Sequence, residues 1–268
     1  MEKRQILLTN DDGIQSPGLW AAAEALSDLG YVTVAAPREQ SSGMGRSLPL
    51  GSDGSIRAET LNVRGRDWTV YAVGGTPAQA VLHGVLEISS RRPDLVVSGI
   101  NYGENVGDGV SISGTVGAAL EGAGLGIPSL AVSLEMDSGN FLSYSKEIDF
   151  STAAYFTAYF ARLLFAKRFP ADVDVLKVDV PCDATRETAW EVSRLSRLSY
   201  FVPLPPQRKS LEEPGKLDFR VDPDLEKEPH DSDVYVLRGK RQVSVTPLSL
   251  DFTSRVDFGE LDRLMRSA

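Results

Sequence analysis

Asp11 and Asp12 are two adjacent carboxylates in the run Asn10-Asp11-Asp12-Gly13. The short apolar run Ile6-Leu7-Leu8 precedes them, and Ser16-Pro17 follows. An apolar run this short, bounded by turn residues, predicts a strand buried on both faces. Ser16 then reads as an N-cap and Pro17 as a first-turn proline, opening a helix along Leu19, Ala22, Ala23 and Leu26. The acids therefore fall on the turn between a buried strand and a helix, where ligands of open α/β sheets bind. Two like charges this close repel unless a cation or positive groups lie between them. One chemistry that answers this is a hard divalent metal held by oxygen ligands. The other is a solvated Asn-Asp-Gly turn near a helix start.

Three more segments share that address. The Ser- and Gly-rich stretch Arg38 to Ser47 follows a second strand, Tyr31–Ala36, and offers hydroxyls on a permissive backbone. Asn101 follows a buried strand at Asp94–Ser98, and the stretch 104–113 gathers acidic and amide side chains with glycines. Ser113-Gly114-Thr115 opens a small-residue helix, T-V-G-A-A-L-E-G-A-G, and a helix start favours an anion such as phosphate. A hard metal beside such a start is the equipment for phosphoryl hydrolysis.

The bulk of the chain limits the alternatives. It has 268 residues, 42% hydrophobic and 24% charged, enough for one large domain or a domain with an extension. A net charge of −9 disfavours nucleic-acid backbones and anionic membranes, so a phosphorylated small molecule needs positive charge supplied at the site. The lone cysteine, Cys182, rules out an intrachain disulfide framework. Met1-Glu2-Lys3-Arg4 leads straight into the first strand with no signal-like or membrane-spanning run, which makes the cytoplasm the expected location. Only His83 and His230 are available for triad chemistry; the first lies in an apolar helical pattern and the second in an acidic loop. Ser143 and Lys146 fit S-x-x-K, but its companion motifs are missing.

Strand and helix alternate along the chain, which predicts a mostly parallel sheet with helices on both faces. Further strands are expected at 68–73, 128–133 and 174–180, and helices at 76–90 and 151–168. Residues 51–68 read as an irregular excursion with a short hairpin at 56–61, and 203–232 as a long loop or arm. Val234–Leu237 and Gln242–Val245 flank a four-residue turn and predict a hairpin, packed on another subunit or added antiparallel to its own sheet. The tail from Phe252 carries a weak helix. The expected division is an α/β core at 1–185 and a C-terminal extension at 186–268.

The runs 6–18 (I-L-L-T-N-D-D-G-I-Q-S-P-G), 36–48 (A-P-R-E-Q-S-S-G-M-G-R-S-L), 96–107 (V-V-S-G-I-N-Y-G-E-N-V-G), 113–122 (S-G-T-V-G-A-A-L-E-G) and 244–248 (S-V-T-P-L) together resemble the SurE family of 5′-nucleotidases. The resemblance implies a Rossmann-like core and a C-terminal hairpin arm and tail exchanged between subunits of a homodimer or tetramer. It also implies metal-dependent hydrolysis of nucleoside 5′-monophosphates, with 3′-nucleotides or short polyphosphate as further substrates. By position, Asp11, Asp12, Ser42 and Asn101 resemble the ligands of one Mg²⁺ or Mn²⁺ per subunit, with Asp11 and Asp12 catalytic. Asn105, Ser113, Gly114 and Thr115 resemble the phosphate contacts. Ser42 fits better than Ser41 because it directly precedes Gly43-x-Gly45.

Four positions depart from the family pattern. Gln79 and Ala80 replace the usual acid and cysteine, Arg38 an acid, and Arg46 a histidine or asparagine. They bear on substrate preference more than on the metal. A phospho-receiver-like regulator is the rival reading, but it lacks an acid after Val73 and a lysine after Ser133. A haloacid-dehalogenase-type phosphatase needs D-x-D, and a dinucleotide oxidoreductase needs G-x-G-x-x-G after the first strand.

Overall fold

The structure is a computed structural model that describes residues 3–63, 65–136, 147–221 and 223–267. Ser143 and Lys146 lie outside the described residues. Strand β1 (Arg4–Thr9) runs between β2 (Gly30–Pro37) and β5 (Leu95–Tyr102), parallel to both. The strands β3 (Ile56–Val63), β4 (Arg66–Val73), β6 (Ser129–Leu134), β7 (Val175–Val180), β8 (Trp190–Val192) and β11 (Val243–Leu248) complete the sheet. Among the described residues its order is β3-β4-β2-β1-β5-β6-β7-β11-β8. The pairs β3–β4 and β7–β11 are antiparallel and the others parallel. The expected mostly parallel sheet is therefore present.

Alternate residues of β1 serve opposite layers, as a two-residue side-chain period dictates. Ile6 and Leu8 pack with Leu19, Ala22 and Leu26 of α1 (Pro17–Ser27) and with Phe156 and Phe160 of α4 (Ser151–Ala166). Leu7 faces the other way, towards Val81 of α2 (Pro77–His83) and Ala118 of α3 (Gly114–Gly124). The amphipathic aromatic run of 151–166 is thus core contact. Thr76 caps α2 in full: its hydroxyl accepts from Gln79 N–H, and the Gln79 carboxamide accepts from Thr76 N–H. Past His83 the helix relaxes into a π-turn over Gly84–Ile88. Ser16 stands at the N-cap of α1, but its buried hydroxyl makes no cap bond.

Two hairpin expectations are corrected. The excursion before β4 holds no hairpin of its own; all of Ile56–Val63 pairs with Arg66–Val73 as one β3–β4 ribbon. The expected hairpin at 234–245 is half wrong. Tyr235–Gly239 is a π-helical turn, and only Val243–Leu248 is a strand, antiparallel to β7 of its own sheet. Burial outweighs β-propensity there. Val234 and Leu237 pack on Tyr200 and Val106, while Ser232 Oγ accepts from Tyr235 N–H at 3.1 Å. A hairpin does occur inside the stretch read as loop, between β9 (Phe201–Leu204) and β10 (Asp218–Val221). Pro203 masks it in the sequence, but a two-stranded edge tolerates proline. The tail helix α5 (Phe258–Arg266) has no buried residue, and Phe252, Phe258, Leu264 and Met265 stand exposed. No helix among the described residues is long and apolar enough to cross a membrane.

Candidate active site

The β1–α1 turn is built by short local bonds. Asn10 Nδ2 donates to Gly13 O at 3.0 Å, and Gly13, at φ +94°, leaves room for the Glu39 backbone 3.1 Å from where a Cβ would lie. Asp11 and Asp12 follow Asn10 into a water-poor rim, 4% and 2% exposed. Asp11 Oδ1 accepts from the Thr115 hydroxyl, and Asp12 Oδ2 accepts from Tyr102 N–H at 3.2 Å. Gln40 Nε2 reaches Asp12 Oδ1 at 3.5 Å.

Each neighbouring segment arrives for a physical reason. Ser41 N–H donates to Asp11 O at 2.7 Å, which lays the loop after β2 against the turn. The same loop rests on α3. Gly45 N–H donates to Ile112 O at 2.9 Å, and a Cβ on Gly117 would lie 2.3 Å from the Gly45 carbonyl. This close approach requires a glycine at 117. At β5 the register shifts between Ser98 and Asn101 against β6, a bulge that re-aims Asn101. Gly99 there has φ +135°, and its missing Cβ would meet Val132 O at 2.3 Å. Asn101 Nδ2 donates to Gly103 O at 2.7 Å and Tyr102 O at 3.3 Å, so its oxygen is the atom left to serve a cation.

Burial pushes the Asp11 carboxyl above its ordinary value of 3.8; the Thr115 hydroxyl and the main-chain N–H groups of Gly114 and Thr115 only partly offset this. Asp12 is pushed up further, first by burial and then by the charge of Asp11. A hard cation is what such a donor set suits, since two carboxylates and an amide oxygen are all oxygen ligands. Gly114 leaves space on that side, since a Cβ would lie 2.8 Å from Asp11 Oδ2. Gly114→Ala is therefore expected to lower metal-dependent activity roughly a hundredfold if the carboxylate moves by close to 1 Å, with the fold retained. Activity assays alongside circular dichroism check it.

The remaining candidates fall as follows. Ser113 caps α3, its Oγ accepting from Val116 N–H at 3.1 Å. Ser41 Oγ donates to Glu39 O at 3.3 Å, while Ser42, the next residue, is exposed. Asn105 Nδ2 donates at 2.8 Å to Ser133 Oγ, and Ser133 is the register partner of Asn101. Of the four departures three have a polar partner and Ala80 is buried: Arg38 pairs with Asp53 at 2.8 Å, Arg46 with Glu121 at 2.7 Å, and Gln79 completes the α2 cap. His83 pairs with Glu87 at the helix surface, and His230 stacks on Tyr235.

Among the described residues one other group could hold a metal, Glu135 with Cys182 and Asp183. Arg241 already donates to Glu135 at 2.7 and 2.8 Å and to Asp183 at 2.5 Å, so those acids have their cation. The residues that sequence reasoning missed are Lys177, Asp179 and Asp233. For the first two a signal was present: in V-L-K-V-D-V two charges interrupt a strand that otherwise reads as fully buried.

Fold and site together define an α/β protein with a rim of oxygen donors at the carboxyl ends of parallel strands, beside a helix start that can take an anion. The family model described as "Survival protein SurE" matches residues 6–201, and the chain belongs to the SurE family. A "5′-nucleotidase SurE" of Thermococcus gammatolerans is 41% identical over 97% of this chain and 96% of the relative. One of Methanocella arvoryzae is 38% identical, covering 98% of each. The crystal structure of a SurE protein from Aquifex aeolicus aligns with a TM-score of 0.76 at 30% identity, over 97% of this chain and 99% of that one.

Proposed function

We propose that this chain is a 5′-nucleotidase that hydrolyses nucleoside 5′-monophosphates with one divalent cation, Mg²⁺ or Mn²⁺, per subunit. The carrying observation is the pair of buried carboxylates at the rim of the sheet, Asp11 and Asp12, both raised in pKa by burial and Asp12 also by the charge of Asp11. When bound, a hard cation polarises a phosphoryl oxygen and lowers the pKa of water. Asp11 and Asp12 hold it, with Asn101 and Ser42 completing the oxygen shell. Asp11 also orients or deprotonates the attacking water. Thr115 holds Asp11 in place through its hydroxyl. The amide of Asn105 and the Ser113–Thr115 helix start take the charge on the equatorial phosphoryl oxygens.

The working form is a homo-oligomer, dimer or tetramer, assembled through the residues after 185. The support is α5, which buries nothing on its own chain and presents Phe258, Leu264 and Met265 to the outside. The division at 185 places the cation and phosphate contacts in the first part and the assembly surface in the second, while the main sheet spans both, because β8 and β11 come from the second part.

A panel of 5′-, 3′- and 2′-nucleotides, tripolyphosphate and glycerol phosphate, assayed for phosphate release with and without chelator, tests the reading. We expect 5′-nucleotides to be hydrolysed, the activity to vanish on chelation, and Mn²⁺ or Mg²⁺ to restore it. Chelator-insensitive release, or none from any nucleotide, would contradict it.

A further inference from the structure

Lys177, Asp179 and Asp233 are charged and wholly buried, each at 0% side-chain exposure. Lys177 and Asp179 stand two apart on β7 and so share one face of the sheet. Asp233 comes from the C-terminal extension, just before the π-helical turn. Lys177 Nζ donates to Asp179 and, at 3.1 Å, to Asp233. One ammonium with two carboxylates is a poor way to stabilise an interior, where apolar side chains of similar volume do as well or better. Burial lifts Asp179 to about 6 against the pull of Lys177. For Lys177 burial works downward, but the two carboxylates outweigh it and hold it above its ordinary value.

One oxygen of each carboxylate serves the stretch 105–107: Asp179 Oδ1, which Lys177 leaves free, and Asp233 Oδ2, which Lys177 shares. Asp179 Oδ1 accepts from Asn105 N–H at 2.7 Å. Asp233 Oδ2 accepts from Gly107 N–H at 3.0 Å, where φ is +58°. Asp233 Oδ1 accepts from Ser196 and Val234 N–H at 2.9 and 3.0 Å, which anchors the extension. The Asn105 side chain is held from the other side by Ser133 Oγ at 2.8 Å. Residues 105 to 107 are thus clamped by two carboxylates that Lys177 keeps in register.

We propose that Lys177, Asp179 and Asp233 form a buried positioning unit that aims the Asn105 amide at the phosphoryl group, with Ser133 setting the rotation of that amide. This rests on Asn105 being a phosphate contact. Asn105 Nδ2 carries two hydrogens; Ser133 takes one, and the other is available to a phosphoryl oxygen. Because Asp233 lies in the extension, chain far from the catalytic turn completes the phosphate site.

The test compares Asn105→Ala, Asp179→Ala, Asp179→Asn, Ser133→Ala and the double variant Asp179→Ala/Asn105→Ala. KM and kcat for 5′-AMP, the inhibition constant of inorganic phosphate, Mn²⁺ affinity and thermal unfolding are measured for each. Removing Asp179 leaves Lys177 with one carboxylate, so the buried charge stays balanced, and Asp179→Asn keeps an acceptor for Asn105 N–H. The expected result is a rise of roughly ten- to a hundredfold in KM and in the phosphate inhibition constant for Asn105→Ala, Asp179→Ala and Ser133→Ala, with Mn²⁺ affinity unchanged. Asp179→Asn should recover most of the loss. The double variant should be no worse than Asn105→Ala, because both act through one group.

Unchanged KM and phosphate inhibition in Asp179→Ala and Ser133→Ala, beside a defect in Asn105→Ala, would overturn the positioning unit and leave the phosphate role of Asn105 standing. Additive losses in the double variant would overturn it equally. If Asn105→Ala changes nothing, the phosphate reading of that residue fails and takes this inference with it. Should Asp179→Ala not fold, Ser133→Ala, which deletes one hydroxyl, carries the same comparison.

Discussion

Asp11→Asn is expected to lower Mn²⁺-dependent release of phosphate from 5′-AMP by on the order of a thousandfold, since a cation at a phosphoryl transition state supplies several kcal/mol. The amide keeps the volume of the carboxylate and an oxygen for the Thr115 hydroxyl, so the turn should hold its shape. What it loses is charge: the cation loses one of its two anionic ligands, and the attacking water loses its base. The fold should survive, because Asp11 is held at a pKa above 3.8 by burial and gains nothing in stability from being ionised. Steady-state assays beside circular dichroism separate the two effects. Full activity in Asp11→Asn would end the metal mechanism.

Chelation should lower the melting temperature of the wild-type protein. Both acids have folded pKa values above the ordinary 3.8, so the folded state binds their protons more tightly than the unfolded chain does. Metal-free stability therefore falls as pH rises from 3.8 through the raised folded values, a penalty on ionising the buried pair. A cation relieves it. At a hundredfold excess over its dissociation constant the gain is about 2.7 kcal/mol, or about 5–10 °C in a chain of this size. Asp12→Asn should melt above the wild type without metal, show a flatter pH dependence, and lose most of the rise on adding Mn²⁺. Differential scanning calorimetry reads all three, and a melting temperature indifferent to chelator would contradict the argument.

The parts of the fold legible in the sequence are those where local signals and burial agree. Thr76-Pro77 with Gln79 predicts a capped helix and forms one, and Ile6-Leu7-Leu8 predicts a strand buried on both faces and is one. At Val234–Leu237 the two disagree. The β-branched run favours a strand, but Tyr200 and Val106 bury it as a helical turn, and no local signal carries that information. Asp11, Asp12 and Asn101 could be placed at strand ends by pattern alone. The Ser41 bond to Asp11 O, the Gly114 approach to Asp11 and the bulge before Asn101 could not, because each depends on segments remote in sequence. Lys177 and Asp179 were readable as an anomaly, but their partner Asp233 was not, since 54 and 56 residues separate the pair from it.

The most direct test of the central claim is anomalous diffraction from crystals of the wild-type protein saturated with Mn²⁺. The account predicts a peak within coordination distance of the Asp11 and Asp12 carboxylates and the Asn101 side-chain oxygen. A bound ion elsewhere, for example at Glu135, Cys182 and Asp183, with none at the β1–α1 turn, would contradict it.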